Sequence, residues 1–277
     1  MPRFYIVPQW QGSPFPRAMA LIDGAEAIAG DLPRAGCLVV EVPLEAGDAL
    51  GTGIHRLSAL QRTADTLSQA LADHDDSGPH PVVIGGDCGI AVPGIRRAAA
   101  RDSLAVVWLD AHGDLHDEHS SASGAFAGMA LGAVLGHGSD SPGGLALPAG
   151  LVPPEHAVLA GARDLDLPET LRAEELTRVS PAEIAENAHA LADAAGATGA
   201  SHVWVHVDLD VLDPSEITGV AGPVPFGVAA SDLVAALKSL RERMPIAGAS
   251  LAGFAPASPA AAVDDLGTIL RIIGALA

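Results

Sequence analysis

The chain has 277 residues, 49% of them hydrophobic, with 15 Lys and Arg against 34 Asp and Glu and a formal net charge of −19 at pH 7. That acidity argues against a nucleic-acid partner or an anionic membrane; it suits a cationic small molecule, and equally a plain solvated surface. Two cysteines, Cys37 and Cys88, are too few for a disulfide framework. The longest uncharged stretch, around residues 125–136, is too short and glycine-rich to cross a membrane. The N-terminus lacks a basic region followed by an apolar core, so no signal peptide and a cytoplasmic location are expected. No linker, charge run or internal repeat divides the sequence, and residues 1–277 are expected to form one α/β domain.

In chain order, residues 4–10 read as a strand, 18–30 as a helix closed by Gly30, and 37–43 as a second strand. A loop with Gly51, Gly53 and His55 leads to an amphipathic helix over 56–74. Residues 81–84 are a short apolar strand running into Gly85-Gly86-Asp87-Cys88-Gly89, where glycine lets backbone approach a site. A helix follows to about 101, with Arg96 and Arg97 near its end, where they suit the dipole. The continuous apolar run 104–109 predicts a strand covered on both faces. It runs into Asp110-Ala111-His112-Gly113-Asp114. Residues 156–161 form a strand leading to Ala162-Arg163-Asp164-Leu165-Asp166. Ser180 and Glu183 predict a capping box on a helix over 181–195. The buried strand 201–205 runs into His206-Val207-Asp208-Leu209-Asp210, ended by Asp213-Pro214. A helix over 231–244, a strand over 246–254 and a helix over 261–277 complete the chain. Strands alternating with helices predict an α/β protein with a mostly parallel sheet and helices on both faces, a three-layer α/β/α arrangement.

Asp208 and Asp210 are two residues apart, so in an extended chain both carboxylates face one side. Such a pair repels unless a cation sits between, and oxygen ligands suit hard divalent ions. Asp110, His112 and Asp114 repeat the pattern after a second buried strand. The carboxyl ends of parallel strands line one crevice. Cys88, Asp110, His112, Asp114, Asp208 and Asp210 are therefore expected to converge there.

These stretches resemble, in order, the GGDH, DAHxD and DxDxxDP signatures of the arginase/agmatinase (ureohydrolase) family, and the resemblance spans nearly the whole chain. It implies an arginase-like fold, up to two Mn²⁺ ions, and hydrolysis of a non-peptide C–N bond by a water activated between the metals. It further implies one metal on Cys88, Asp110, Asp114 and Asp208, and another on Asp110, His112, Asp208 and Asp210. Asp110 and Asp208 would bridge. Cys88 stands where the family has histidine. Either its thiolate ligates, shifting preference towards Zn²⁺, Fe²⁺ or Co²⁺, or it stays a neutral small hydrophobe and the first metal is weakened or lost. Asp87 is expected to orient the glycine loop rather than to ligate.

The substrate half departs further. Ser123 and the glycines match the family's Ser-Gly-Asn-x-His-Gly segment, but Ala125 replaces the asparagine that recognises the α-carboxylate and Ala127 the proton-shuttling histidine. His116 replaces another recognising asparagine, and Gly253 stands where a glutamate pairs with the guanidinium. Asp166 matches an aspartate at the amino-acid end, which leaves Ser123 and Asp166 as substrate-binding candidates. Asp114, His116 and His119 are the catalytic candidates. The two histidines either replace the lost acid/base function or are solvated loop residues. The departures imply little hydrolysis of L-arginine, and a Gly253→Glu, Ala127→His, Cys88→His variant is expected to gain it. Two functions stay open: a metal-dependent hydrolase of modified guanidines, amidines or small amides, and a catalytically impaired paralogue that keeps one metal for a binding or structural role. The partners expected are a small-molecule substrate and further copies of the chain in a closed homo-oligomer.

Overall fold

The computed structural model describes residues 3–140 and 144–277. In chain order its elements are β1 Arg3–Ile6, α1 Ala20–Asp31, β2 Cys37–Val39, α2 Leu57–Ala72, β3 Pro81–Ile84, α3 Ala91–Ala99, β4 Leu104–Leu109, α4 Ala130–Val134, β5 Ala157–Ala160, α5 Leu167–Ala173, β6 Thr177–Val179, α6 Pro181–Glu186, α7 Ala190–Ala197, β7 His202–Asp208, α8 Ala230–Arg243, β8 Ile246–Ala252 and α9 Ala262–Leu276.

Among the described residues the strands form one eight-stranded sheet in the order β2-β1-β3-β8-β7-β4-β5-β6, with every neighbouring pair parallel. Helices cover both faces, which makes the three layers α/β/α. The period of two in β4 and β7 explains why apolar runs were needed. Ala105, Val107, Val203, Val205 and Val207 face one core, while Val106, Trp108 and Trp204 face the other. The sheet reverses direction of growth around β1 and β3, and the chain then leaps to β4 before filling in β7 and β8. Such reversals open the crevice at the carboxyl ends.

Several bounds move for stated reasons. The first strand stops at Ile6 rather than at residue 10, because Pro8 has no N–H for the ladder. The helix expected over 181–195 is two helices. Asn187 closes α6 in an extended conformation (φ −141°, ψ 103°), and its side chain accepts from His189 N at 2.9 Å. A local side-chain bond of this kind competes with helix continuation. The capping box of Ser180 and Glu183 is present. A second box, Asp166 with Glu169, starts α5, a helix the sequence reading did not include.

Candidate metal centre

The six candidate ligands lie at the carboxyl ends of the central strands. Asp110 follows β4, Asp208 ends β7, and Asp210 lies in the tight turn after it. Asp208 pairs in register with Ala252 on β8 and Trp108 with His206, so adjacent strands deliver these side chains to one place. Cys88 opens the turn after β3 and is buried.

The Cys88 thiol donates to Asp208 Oδ2 at 2.9 Å and lies 3.9 Å from Asp110 Oδ2. His112 Nδ1 sits 3.0 Å from Asp210 Oδ2 and 3.4 Å from Asp110 Oδ1. Ligand atoms of Asp110, His112 and Asp210 all lie within 4.8 Å of one another, and the same holds for Cys88, Asp110 and His206. Asp110 is common to both groups. Backbone amides orient the carboxylates: Ala111 N donates to Asp210 Oδ1 at 3.0 Å, and Asp210 N to Asp208 Oδ1 at 2.9 Å. Asp114, with a left-handed backbone (φ 52°), leaves Oδ2 buried and without a hydrogen-bond partner. The second half of the site is braced by Arg163, whose guanidinium donates to the carbonyls of Asp210 at 2.9 Å, Val211 at 3.2 Å and Leu212 at 3.3 Å.

The electrostatics suit a cation. Burial, and then the charge of Asp210, push Asp208 up to about 7. Burial, and then Asp110, push Asp210 up to about 6. Asp114 and the Cys88 thiol are pushed well up, first by burial and then by neighbouring carboxylates. For His112 burial opposes the charged form, but the hydrogen bonds to Asp110 and Asp210 outweigh it and push it up to about 12. A divalent ion would relieve all of these together, and an orphaned buried carboxylate oxygen is what a ligand looks like without its ion. The donor set of carboxylates, imidazole and thiol fits a divalent transition metal.

Metal binding here must displace protons. Asp208 and Asp210 take up protons as pH falls through about 7 and about 6, and His112 must lose the proton it shares with Asp110 and Asp210. The apparent affinity for Mn²⁺ is expected to fall from about pH 8 to about pH 6, with net proton release on binding. Calorimetry in buffers of different ionisation enthalpy measures both, and a pH-independent affinity without proton release would contradict the assignment.

The remaining candidates lie around this cluster or away from it. Asp87 accepts from Gln9 Nε2 at 2.9 Å, Gly12 N at 2.9 Å and Gly89 N at 3.1 Å, so it ties the segment after β1 to the glycine loop. His116 Nε2 lies 3.4 Å from Asp166 Oδ2 and 4.0 Å from Glu169 Oε1, while its Nδ1 meets Ser120 Oγ at 3.2 Å. The His119 side chain is 86% exposed and faces Glu118. Ser123 is exposed, and its Oγ accepts from Ala125 N. Asp166 is exposed and caps α5.

Two residues outside the expected set border the centre. His206 lies two positions before Asp208 on the same face of β7 and is fully buried; its spacing from Asp208 is the only hint the sequence carries. Gly253 has φ +86°, and a Cβ built on it would lie 2.2 Å from Asp208 Oδ1. Gly253 therefore lets the backbone pass against a candidate ligand, and any side chain there meets Asp208 in a left-handed conformation. A glutamate at Gly253 would therefore require Asp208 to shift. A cleft of about 50 Å³ adjoins the cluster, walled by Phe15, Leu21, Ala127 and Val220 as well as by Cys88, Asp208 and Asp210.

A sequence model of the Arginase family matches residues 29–265. Arginase of Bacillus caldovelox is 30% identical over 207 residues, covering 71% of this chain and 68% of that protein. Among solved structures, Entamoeba histolytica arginase in complex with L-ornithine superposes with a TM-score of 0.85 at 18% identity, covering 100% of this chain and 99% of that one. Proclavaminate amidino hydrolase from Streptomyces clavuligerus gives 0.71 at 22% identity, covering 99% and 89%.

Proposed function

The chain belongs to the arginase family, and from that membership we propose that it is a metal-dependent hydrolase of a non-peptide C–N bond, acting on a small amidino, guanidino or related substrate other than L-arginine. The observation that carries this reading is the shared carboxylate Asp110, flanked by His112 and Asp210 on one side and Cys88 on the other, beside a cleft at the sheet's carboxyl ends. Asp110, His112, Asp208 and Asp210 would hold one ion, and Cys88, Asp110, Asp114 and Asp208 the other, in the manner of the family. When bound, the ions supply Lewis-acid polarisation and a water of lowered pKa.

The protein's own residues narrow the substrate. Among the described residues the carboxylates lining the cleft are Asp208, beside Gly253, Asp210 and Asp87, the last held by three hydrogen bonds, and the rest of the wall includes the apolar Phe15, Leu21 and Val220. With no further carboxylate to pair it, the side-chain guanidinium of L-arginine is disfavoured there. A related fold carrying the name amidino hydrolase supports an amidino group on a scaffold other than arginine. Of the two histidines, His116 is held against Asp166 and only 14% exposed, whereas His119 is 86% exposed, so His116 is the proposed proton carrier.

The test is release of ammonia or urea from formamidines, N-hydroxyguanidines, agmatine, small amides and L-arginine, with Mn²⁺, Zn²⁺, Co²⁺ or Fe²⁺ supplied in turn. Turnover of an amidine or modified guanidine that His116→Ala slows while leaving metal content unchanged is expected. Stoichiometric metal without turnover of any of these would overturn the enzymatic reading in favour of a paralogue with a binding role.

A further inference from the structure

We propose that His206 is a metal ligand, and that with Cys88 it forms a sulfur- and nitrogen-bearing first metal position in place of an oxygen-rich one. This rests on the reading of the cluster as a metal centre. His206 is 0% exposed, and its Nε2 is a buried polar atom without a hydrogen-bond partner. A ring nitrogen of His206, the Cys88 sulfur and an Asp110 oxygen lie within 4.8 Å of one another. Nδ1 is engaged by Ser250 Oγ at 2.8 Å, which leaves Nε2 as the nitrogen free to bind an ion.

The surroundings hold the ring in place and accommodate the tautomer that ligation needs. His206 pairs in register with Trp108 on β4 and with Ser250 on β8. The Trp108 ring stacks on it with centroids 3.8 Å apart and a 31° tilt. Ser250 Oγ also accepts from Trp204 Nε1 at 3.1 Å. A serine oxygen has two lone pairs. With one taken by the indole, the second accepts from His206 Nδ1–H, and Nε2 then carries a free lone pair. In the other tautomer Ser250 Oγ–H donates to Nδ1 and the buried Nε2–H has no acceptor, a mismatch that an ion on Nε2 removes. A ring nitrogen whose far side donates to a fixed oxygen is the arrangement in which histidine ligates metals.

The sulfur completes the argument. Cys88 now donates its S–H to Asp208 Oδ2. On coordination that proton leaves to the buffer, the S–H···O contact is lost and a sulfur–metal bond forms, with no change of oxidation state. Thiolate and imidazole together favour Zn²⁺, Co²⁺ or Fe²⁺ over Mn²⁺ at this position. The position built on His112, Asp208 and Asp210 keeps its oxygen character.

Cobalt titration of the native protein reads this directly. Two Co²⁺ ions are expected, one accompanied by a sulfur-to-cobalt charge-transfer band in the near ultraviolet. Cys88→Ser should abolish that band. His206→Ala should weaken the same ion by more than the roughly 10–100-fold that loss of a supporting partner costs, leaving the other ion in place. Ser250→Ala, which removes only the support, should fall within that roughly 10–100-fold range. X-ray absorption on the native zinc form needs no variant, and should show one sulfur at about 2.3 Å and imidazole scattering from two histidines rather than one. Native affinity for both ions in His206→Ala, or imidazole scattering from one histidine, would overturn the inference while leaving the metal-centre reading intact. A native protein that binds no cobalt or zinc would overturn both.

Discussion

Asp208→Asn is expected to strip metal from both positions while making the metal-free fold more stable. The two effects have opposite signs because one carboxylate serves two masters. It touches the Cys88 thiol at one oxygen and the Asp210 amide at the other, so it lies between the two candidate positions. Without a cation its buried charge is costly, since burial and the neighbouring Asp210 hold it up at about 7. Above that pH the folded protein carries an unpaired buried anion that the unfolded chain would hydrate. Asparagine keeps the shape and the acceptor for Asp210 N and removes the charge. The metal-free variant should melt higher, at about 2–4 °C for each kcal/mol relieved. Its metal affinity should fall by more than the roughly 10–100-fold typical of losing a supporting partner, and hydrolysis should fall with it. Cys88→Ala should empty only the position it faces. Metal content after dialysis, with thermal melts in the presence and absence of Mn²⁺, reads both effects. Equal metal loss in the two variants would count against a shared role for Asp208.

L-Arginine should be hydrolysed orders of magnitude more slowly than the preferred substrate, and Gly253→Glu should not repair the defect. A guanidinium stays charged at neutral pH. Leaving it buried without a carboxylate costs several kcal/mol, and each 1.4 kcal/mol is about tenfold in rate or affinity. Ala127 at the cleft offers no proton-transfer group, a loss of roughly 10²–10⁴-fold elsewhere. Adding glutamate at Gly253 introduces a Cβ 2.2 Å from Asp208 Oδ1 on a backbone with φ +86°. A left-handed non-glycine residue costs about 1–3 kcal/mol before the clash is counted. The expected result is a variant with less metal and still no urea release. Urea release from L-arginine and metal content should be measured together with Mn²⁺ present. Robust turnover by the native chain would sink the specificity argument. A Gly253→Glu variant that keeps full metal content and gains arginase activity would sink the steric one.

The sequence by itself determined the layers of the fold and which residues gather at the crevice. Apolar runs such as 81–84 and 104–109 are local patterns, and their short length and β-branched content mark them as strands buried on both faces. Spacing of two along a strand is likewise local, so the shared direction of Asp208 and Asp210 was legible before any contact was known. Tertiary structure decided what depends on neighbouring strands. Whether Cys88 meets Asp208, whether His206 finds a partner for Nε2, and how closely Gly253 passes Asp208 are set by the parallel register of β3, β8, β7 and β4. His116 and His119 lie three residues apart in one loop with no local signal to separate them. Packing turned the first towards Asp166 and Glu169 and left the second in solvent. Local chemistry fixes which side of a strand a group faces; only the register of the adjacent strands fixes what it faces.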